Sequence, residues 1–144
     1  MAPSVYIIGS LRNPQVPVVA TALRANGIDA FDDWYTAGPE ADDIWKTYEL
    51  ERGRGYIEAL EGYHAQHVFH YDKTHLDRCD GAVLVLPAGK SCHLEFGYMI
   101  GQGKHGFVLL PENETERWDI MYAFATKVVT SIDELVSEVK IGGV

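Results

Sequence analysis

Glu95 lies in Ser91-Cys92-His93-Leu94-Glu95-Phe96-Gly97-Tyr98, about one turn into a helix expected to follow a strongly apolar run. A helix N-terminus carries partial positive charge, which favours an ionised carboxylate there. Such a carboxylate, held in position, can attack an electron-poor sugar carbon and form a covalent intermediate. The same position equally suits a surface glutamate that only complements the helix dipole. Asp72 and Asp80 stand eight residues apart. Asp80 borders the apolar run and suits a cap or turn. Asp72 falls at the end of the expected sheet from which it can reach the pocket of Glu95. A carboxylic acid beside a nucleophilic carboxylate supplies the acid/base pair that glycosidic cleavage needs. Gly9-Ser10-Leu11-Arg12-Asn13 is a strand-end loop with donors for a phosphate or a sugar hydroxyl. A simply solvated Arg12 is the plainer alternative.

Other clusters carry less. Gly101-Gln102-Gly103-Lys104-His105-Gly106 matches G-x-G-x-x-G, but it follows a helix and precedes a strand. A dinucleotide fingerprint needs the reverse order, so the run reads as a helix C-cap and turn, and a nicotinamide cofactor is rejected. His64, His67, His70, His75 and Cys79 lack the paired-cysteine or H-E-x-x-H spacing of a zinc site. Cys92 and His93 are adjacent on a helix and point in different directions, which argues against a thiol nucleophile. Tyr56, Leu60, Tyr63 and His67 form a stripe at helical spacing, which suits a core or a subunit interface.

The elements that must position these groups alternate. Strands are expected at residues 5–8, 28–31, 82–86, 107–110 and 127–130. Helices are expected from Pro14 to the Asn26-Gly27 turn, at 42–52, 56–67 and 74–79, from Ser91 to about 100, at 118–124 and at 131–140. Ser91 is expected to cap its helix, and Ser131 to cap the last one with Glu134 three residues on. The alternation implies a five-stranded parallel sheet, order 2-1-3-4-5, with helices on both faces: a single flavodoxin-like or Rossmann-like α/β domain over residues 1–144. In that order the connections diverge at strands 1 and 3, and ligands bind in the crevice at their carboxyl ends. The loops at residues 9–13 and 87–91 meet there.

Composition narrows the partners. The formal net charge of −9 argues against a nucleic-acid polymer or an anionic membrane as the main partner. No secretory pattern precedes the first apolar run, and no apolar stretch reaches bilayer length. With two cysteines, Cys79 and Cys92, the expected setting is the cytoplasm with both thiols reduced.

Taken together, these residues resemble the nucleoside 2-deoxyribosyltransferase superfamily, which includes base-exchanging transferases and nucleotide N-glycoside hydrolases. The resemblance runs from the first strand to about Leu135. Its most specific part is residues 83–101, where Leu94-Glu95-Phe96-Gly97-Tyr98 matches the family's E-x-G-Y/W. It implies that Glu95 forms the covalent sugar intermediate, that Tyr6 orients it, and that Asp72 contacts the base and serves as the acid. Gly9, Ser10, Arg12 and Ser91 are implied substrate contacts. Asp119-Ile120-Met121 resembles the N-L-M segment that a neighbouring subunit inserts, so Asp119 and Met121 would contact the sugar in a homo-oligomer with shared active sites.

There are departures. The family's second base-contacting aspartate, six residues before the nucleophile, falls on Gly89. Asp119 replaces an asparagine and would repel a 5′-phosphate. Against that, Ser10-Leu11-Arg12 and His93-Leu94-Glu95 resemble segments of the nucleotide hydrolases. The resulting expectation is transfer of deoxyribose between nucleobases, without metal or cofactor, on substrates with a free 5′-hydroxyl. The alternatives are a nucleoside 5′-monophosphate N-glycoside hydrolase and, last, a non-catalytic nucleotide-binding module.

Overall fold

The computed structural model of the chain describes residues 2–112, 118–142 and 144. Five strands form one parallel sheet in the order β2-β1-β3-β4-β5. They are β1 (Ser4–Ile8), β2 (Asp29–Phe31), β3 (Gly81–Val85), β4 (His105–Leu109) and β5 (Lys127–Val129). The helices are α1 (Gln15–Ala25), α2 (Ala41–Glu51), α3 (Tyr56–Leu60), α4 (Tyr63–Arg78), α5 (Lys90–Gly101) and α6 (Ile132–Ile141), with 3-10 turns at Asp33–Ala37 and Ile120–Phe124. The expected sheet, strand order and two-sided helical cover are all present.

Successive strand side chains point to opposite faces, and that period of two divides the core. Val5, Ile7, Val83, Val85, Phe107, Leu109 and Val129 meet Val16, Val19 and Leu23 of α1 and Leu135 and Val139 of α6. Tyr6, Ile8, Ala82, Leu84 and Val108 turn the other way, onto Leu76 of α4 and Cys92, Phe96 and Met99 of α5. Tyr6 is therefore placed on the α4–α5 side by register alone. Close approach of α5 requires Gly106 at the start of β4: a Cβ there would lie 2.7 Å from Ile100 Cδ1 and 2.9 Å from the Phe96 ring.

Local signals account for several boundaries. Pro14, with φ −68°, stands at the N-cap of α1, where its fixed angle suits a helix start. Ser131 Oγ accepts from Glu134 N at 3.1 Å and caps α6 as its sequence suggests. Gly103 takes φ +78° in the turn after α5, which makes the glycine run a helix exit.

Residues 56–78 differ from expectation. The break falls at Glu61-Gly62, so α3 is one short turn and α4 is a continuous helix of 16 residues. No glycine or proline interrupts residues 63–78, and polar side chains supported by Lys73–Asp77 pairing carry the helix through a stretch without an apolar face. Asp72 thus sits inside α4 and not ahead of a short helix. Residues 120–124 form a 3-10 turn where a helix over 118–124 was expected.

Candidate active site

Three elements bring three predicted residues together. Tyr6 comes from β1, Asp72 from α4 and Glu95 from the second turn of α5. The Tyr6 hydroxyl donates to Glu95 Oε2 across a long 3.5 Å. Burial, then the Glu95 charge, pushes the Tyr6 phenol far up, so it acts as a fixed donor and holds its proton. Asp72 is pushed up to about 6 by burial, and its Oδ1 is buried with no hydrogen-bond partner. Glu95 is pushed up to about 8 by burial first and the Asp72 charge second, with the Tyr6 hydrogen bond pulling the other way.

This corrects the electrostatics expected at Glu95. A helix dipole contributes about 0.3–1 kcal/mol, less than the ~1.4 kcal/mol that moves a pKa by one. Burial and a neighbouring carboxylate move Glu95 several times further, from 4.5 to about 8. The site therefore opposes the ionised form at rest. Between about 6 and about 8 the two carboxyl groups hold one proton between them, and the higher value places it mainly on Glu95.

The loops after β1 and β3 form the second part. Ser10, Arg12, Asn13, Pro14, Pro87, Ala88 and Gly89 line an open cavity of about 430 Å³. Ser10 Oγ accepts from Arg12 N at 3.1 Å, and Arg12 Nη2 pairs with Asp43 Oδ2 of α2 at 3.0 Å. Gly9 is required by the tight start of this loop, since a Cβ would lie 2.5 Å from Val16 Cγ2. Asn13 is buried. Its Nδ2 donates to the carbonyls of Val85 and Pro87, both at 3.4 Å, and its Oδ1 accepts from Gln15 N. Asn13 belongs to the donor loop expected from the sequence, although not as the link to β3, and Asp43 was not anticipated. The Asn13-Pro14 pair was a visible turn signal, whereas Asp43 lies 31 residues from its partner and gives no local sign.

Other predicted residues stand apart. Ser91 is exposed inside α5 and is not its cap; Gly89 holds that position with no side-chain bond. Asp119 Oδ1 accepts from Met121 N at 2.8 Å and caps its own 3-10 turn. Asp119 and Met121 are exposed, and among the described residues neither shares a side-chain hydrogen bond with the carboxylate cluster. The turn is tied to α5 by His93, whose Nε2 lies 3.0 Å from the Tyr122 hydroxyl and whose Nδ1 lies 2.7 Å from the Gly89 carbonyl. A larger open groove of about 490 Å³ runs along α4 past His67, His70 and Thr74, and it holds none of the predicted residues. Among the described residues no His, Cys, Asp and Glu group could hold a metal, and no helix is long and apolar enough to cross a membrane.

No protein-family model matches the chain, and no curated protein matches it in sequence. Solved structures do match in shape. A conserved protein from Enterococcus faecalis V583 aligns over 99% of both chains with TM-score 0.64 and 14% identity. A second is a CMP N-glycosidase. This Clostridium botulinum protein aligns over 95% of the present chain and 98% of its own, with TM-score 0.52 and 13% identity. At these identities the likeness shows a shared fold.

Proposed function

We propose that the chain cleaves N-glycosidic bonds of nucleosides or nucleotides, with Glu95 as nucleophile, Asp72 as acid/base and Tyr6 as the donor that orients Glu95. The observation that carries this is the Tyr6 hydroxyl bonded to Glu95, a carboxyl raised by burial and by the charge of Asp72, itself raised by burial. The shared fold with a CMP N-glycosidase supports it. In the first step a Glu95 oxygen bonds to C1′ and the C1′–N bond breaks. Its electron pair leaves with the base, which takes the Asp72 proton. In the second step an acceptor attacks C1′, Glu95 departs as carboxylate, and Asp72 takes the acceptor's proton. Two displacements retain configuration.

A second nucleobase as acceptor makes the enzyme a deoxyribosyltransferase, the reading that the sequence resemblance favours. Water as acceptor makes it an N-glycoside hydrolase, and a nucleoside 5′-monophosphate is the substrate of that alternative. The cavity with Ser10 and Arg12 favours this second reading, as does the nucleotide named for the Clostridium botulinum protein. Exposed Trp118, Ile120, Met121 and Phe124 suit a homo-oligomer in which Asp119 and Met121 complete a neighbour's site. The free, buried Cys79 and Cys92 suit the reducing cytoplasm.

The deciding experiment incubates the protein with a deoxynucleoside or its 5′-monophosphate, with and without a second free base. Exchanged nucleoside marks the transferase; free base and sugar, independent of added base, mark the hydrolase. No cleavage of either substrate by a folded oligomer defeats the proposal and leaves the nucleotide-binding module. Light scattering at assay concentration supplies the mass, and a fully active monomer removes the shared-site element.

A further inference from the structure

The helix that carries Asp72 has little apolar anchorage. Of the 16 residues of α4, only Leu76 is buried, whereas α5 buries Cys92, Phe96 and Met99. Something else must hold α4 at a set distance from α5. The contacts cluster at one place, around Asp77. The Tyr98 hydroxyl donates to Asp77 Oδ1 at 2.5 Å, and Gln102 Nε2 donates to the same oxygen at 3.2 Å. Lys73 Nζ donates to Asp77 Oδ2 at 2.9 Å and lies 5.7 Å above the Tyr98 ring. Lys104 Nζ, from the loop after α5, donates to the carbonyls of Leu76 and Asp77 at 2.9 and 2.8 Å and closes the end of α4. The three donors hold the Asp77 carboxyl far below the ordinary range, so it stays an acceptor at any working pH.

Tyr98 is one turn beyond Glu95 on α5, and Asp77 is five residues beyond Asp72 on α4. We propose that the Tyr98–Asp77 clamp is a positioning device that sets how far the Asp72 carboxyl stands from the Glu95 carboxyl. Neither residue touches substrate in this assignment; both act through the helices. The inference rests on the proposed function only for its kinetic consequence. The other titratable groups facing the pair are Tyr6 from β1 and Cys92 from α5, and neither depends on the clamp. Loosening the clamp therefore acts on Glu95 through the Asp72 charge that raises it.

The test uses Tyr98→Phe, Asp77→Ala and Asp77→Asn in the full chain. The carboxyl titrations of Asp72 and Glu95 are followed by ¹³C NMR, alongside kcat, KM and thermal melting. Tyr98→Phe and Asp77→Ala should draw the two apparent pKa values together and lower kcat roughly 10-fold, with KM nearly unchanged. Asp77→Asn keeps an acceptor for Tyr98 and should recover most of both effects. Wild-type titrations and kcat in both Tyr98→Phe and Asp77→Ala would overturn the clamp. A lowered melting temperature with those two readouts unchanged would overturn it too, since that marks a purely structural bond. The titrations need no substrate, so a wild type without glycosidase activity defeats the proposed function and leaves this test standing.

Discussion

The two faces of the sheet are built from the same strands and treat polarity in opposite ways. Toward α1 and α6 the buried strand side chains are aliphatic or aromatic, with Lys127 at the β5 edge paired to Glu134 and Glu138 of α6. Toward α4 and α5 the same strands contribute Tyr6, and the helices add Asp72 and Glu95 at the sheet's carboxyl edge. The first face holds the fold together. The second accepts a desolvation cost on two carboxyls in order to have them close and reactive. The contrast extends to the crossovers. α1 buries four of its eleven residues, yet residues 41–78, between β2 and β3, bury only Glu49, Ala59 and Leu76. They leave Ile44, Tyr48, Ile57, Tyr63 and Phe69 facing outward, Tyr63 at 98% exposure. Stability sits on one side of the molecule and the candidate chemistry on the other.

The division predicts different losses from each side. The largest should come from Glu95→Gln, which is expected to reduce cleavage by about three orders of magnitude or more with an unchanged fold. A steady-state assay with circular dichroism checks it, and a variant with more than about a tenth of wild-type activity would remove Glu95 from its role. On the structural side, Leu135→Ala should cost about 2–5 kcal/mol, because Leu135 of α6 is fully buried against the α1–α6 face of the sheet. Phe69→Ser on exposed α4 should cost no more than about 0.5 kcal/mol in the monomer. Urea unfolding of both compares them, and equal losses would erase the contrast.

A smaller effect concerns pH. On the proposed roles the reactive form has Glu95 ionised and Asp72 protonated, the minor of the two placements of the shared proton. The profile of kcat/KM should therefore be a bell with limbs near 6 and 8, the values at which the pair loses its first and second protons. Asp72→Asn should pull the remaining Glu95 limb downward by removing the facing charge. A flat profile from pH 5 to pH 9 would contradict the shared proton. Stability follows the same linkage. Both folded pKa values lie above the ordinary carboxyl range, so the native state binds more protons than the unfolded one between about pH 4 and pH 8. Stability should fall as pH rises through that window. Glu95→Gln should accordingly raise the melting temperature at pH 9 by a few degrees and leave it unchanged at pH 4.

The smallest expected effect is on the 5′ end. Arg12 is shared with Asp43 across an exposed ion pair, which is worth less than about 1 kcal/mol. Asp43→Asn should shift kcat/KM toward a 5′-monophosphate by a few-fold relative to the nucleoside. Asp119→Asn should do the same only if a partner's Asp119 faces that end. Comparing the two ratios on one base decides which aspartate opposes phosphate.

The sheet was legible because strand signals are local. Residues 5–8 and 82–86 are short apolar runs with turn residues after them, and their alternation with helices gives the order. The placement of Tyr6 beside Glu95 followed from that order and a family motif. The middle of the chain was less legible. A helix with one buried residue has no sustained apolar face, so the two ends of α4 were visible as separate helices and the join across residues 68–73 was not. The electrostatics of Glu95 were misjudged for a related reason: helix position is visible in a sequence, whereas burial against Asp72 is a property of packing. Ser91 lost the cap to Gly89 because the helix begins two residues earlier than its side chain suggests.

Asn13 joins two loops with one side chain: its amide reaches the carbonyls of Val85 and Pro87 while its own backbone belongs to the Ser10–Arg12 turn. The loop holding Ser10 and the loop that leads into the Glu95 helix therefore share one frame of reference. In a nucleotide the furanose ring confines the span from C4′, which carries the 5′ arm, to C1′ within narrow limits. On the proposed function, Asn13 would serve as a ruler between the end that holds the ligand and the end that cuts it.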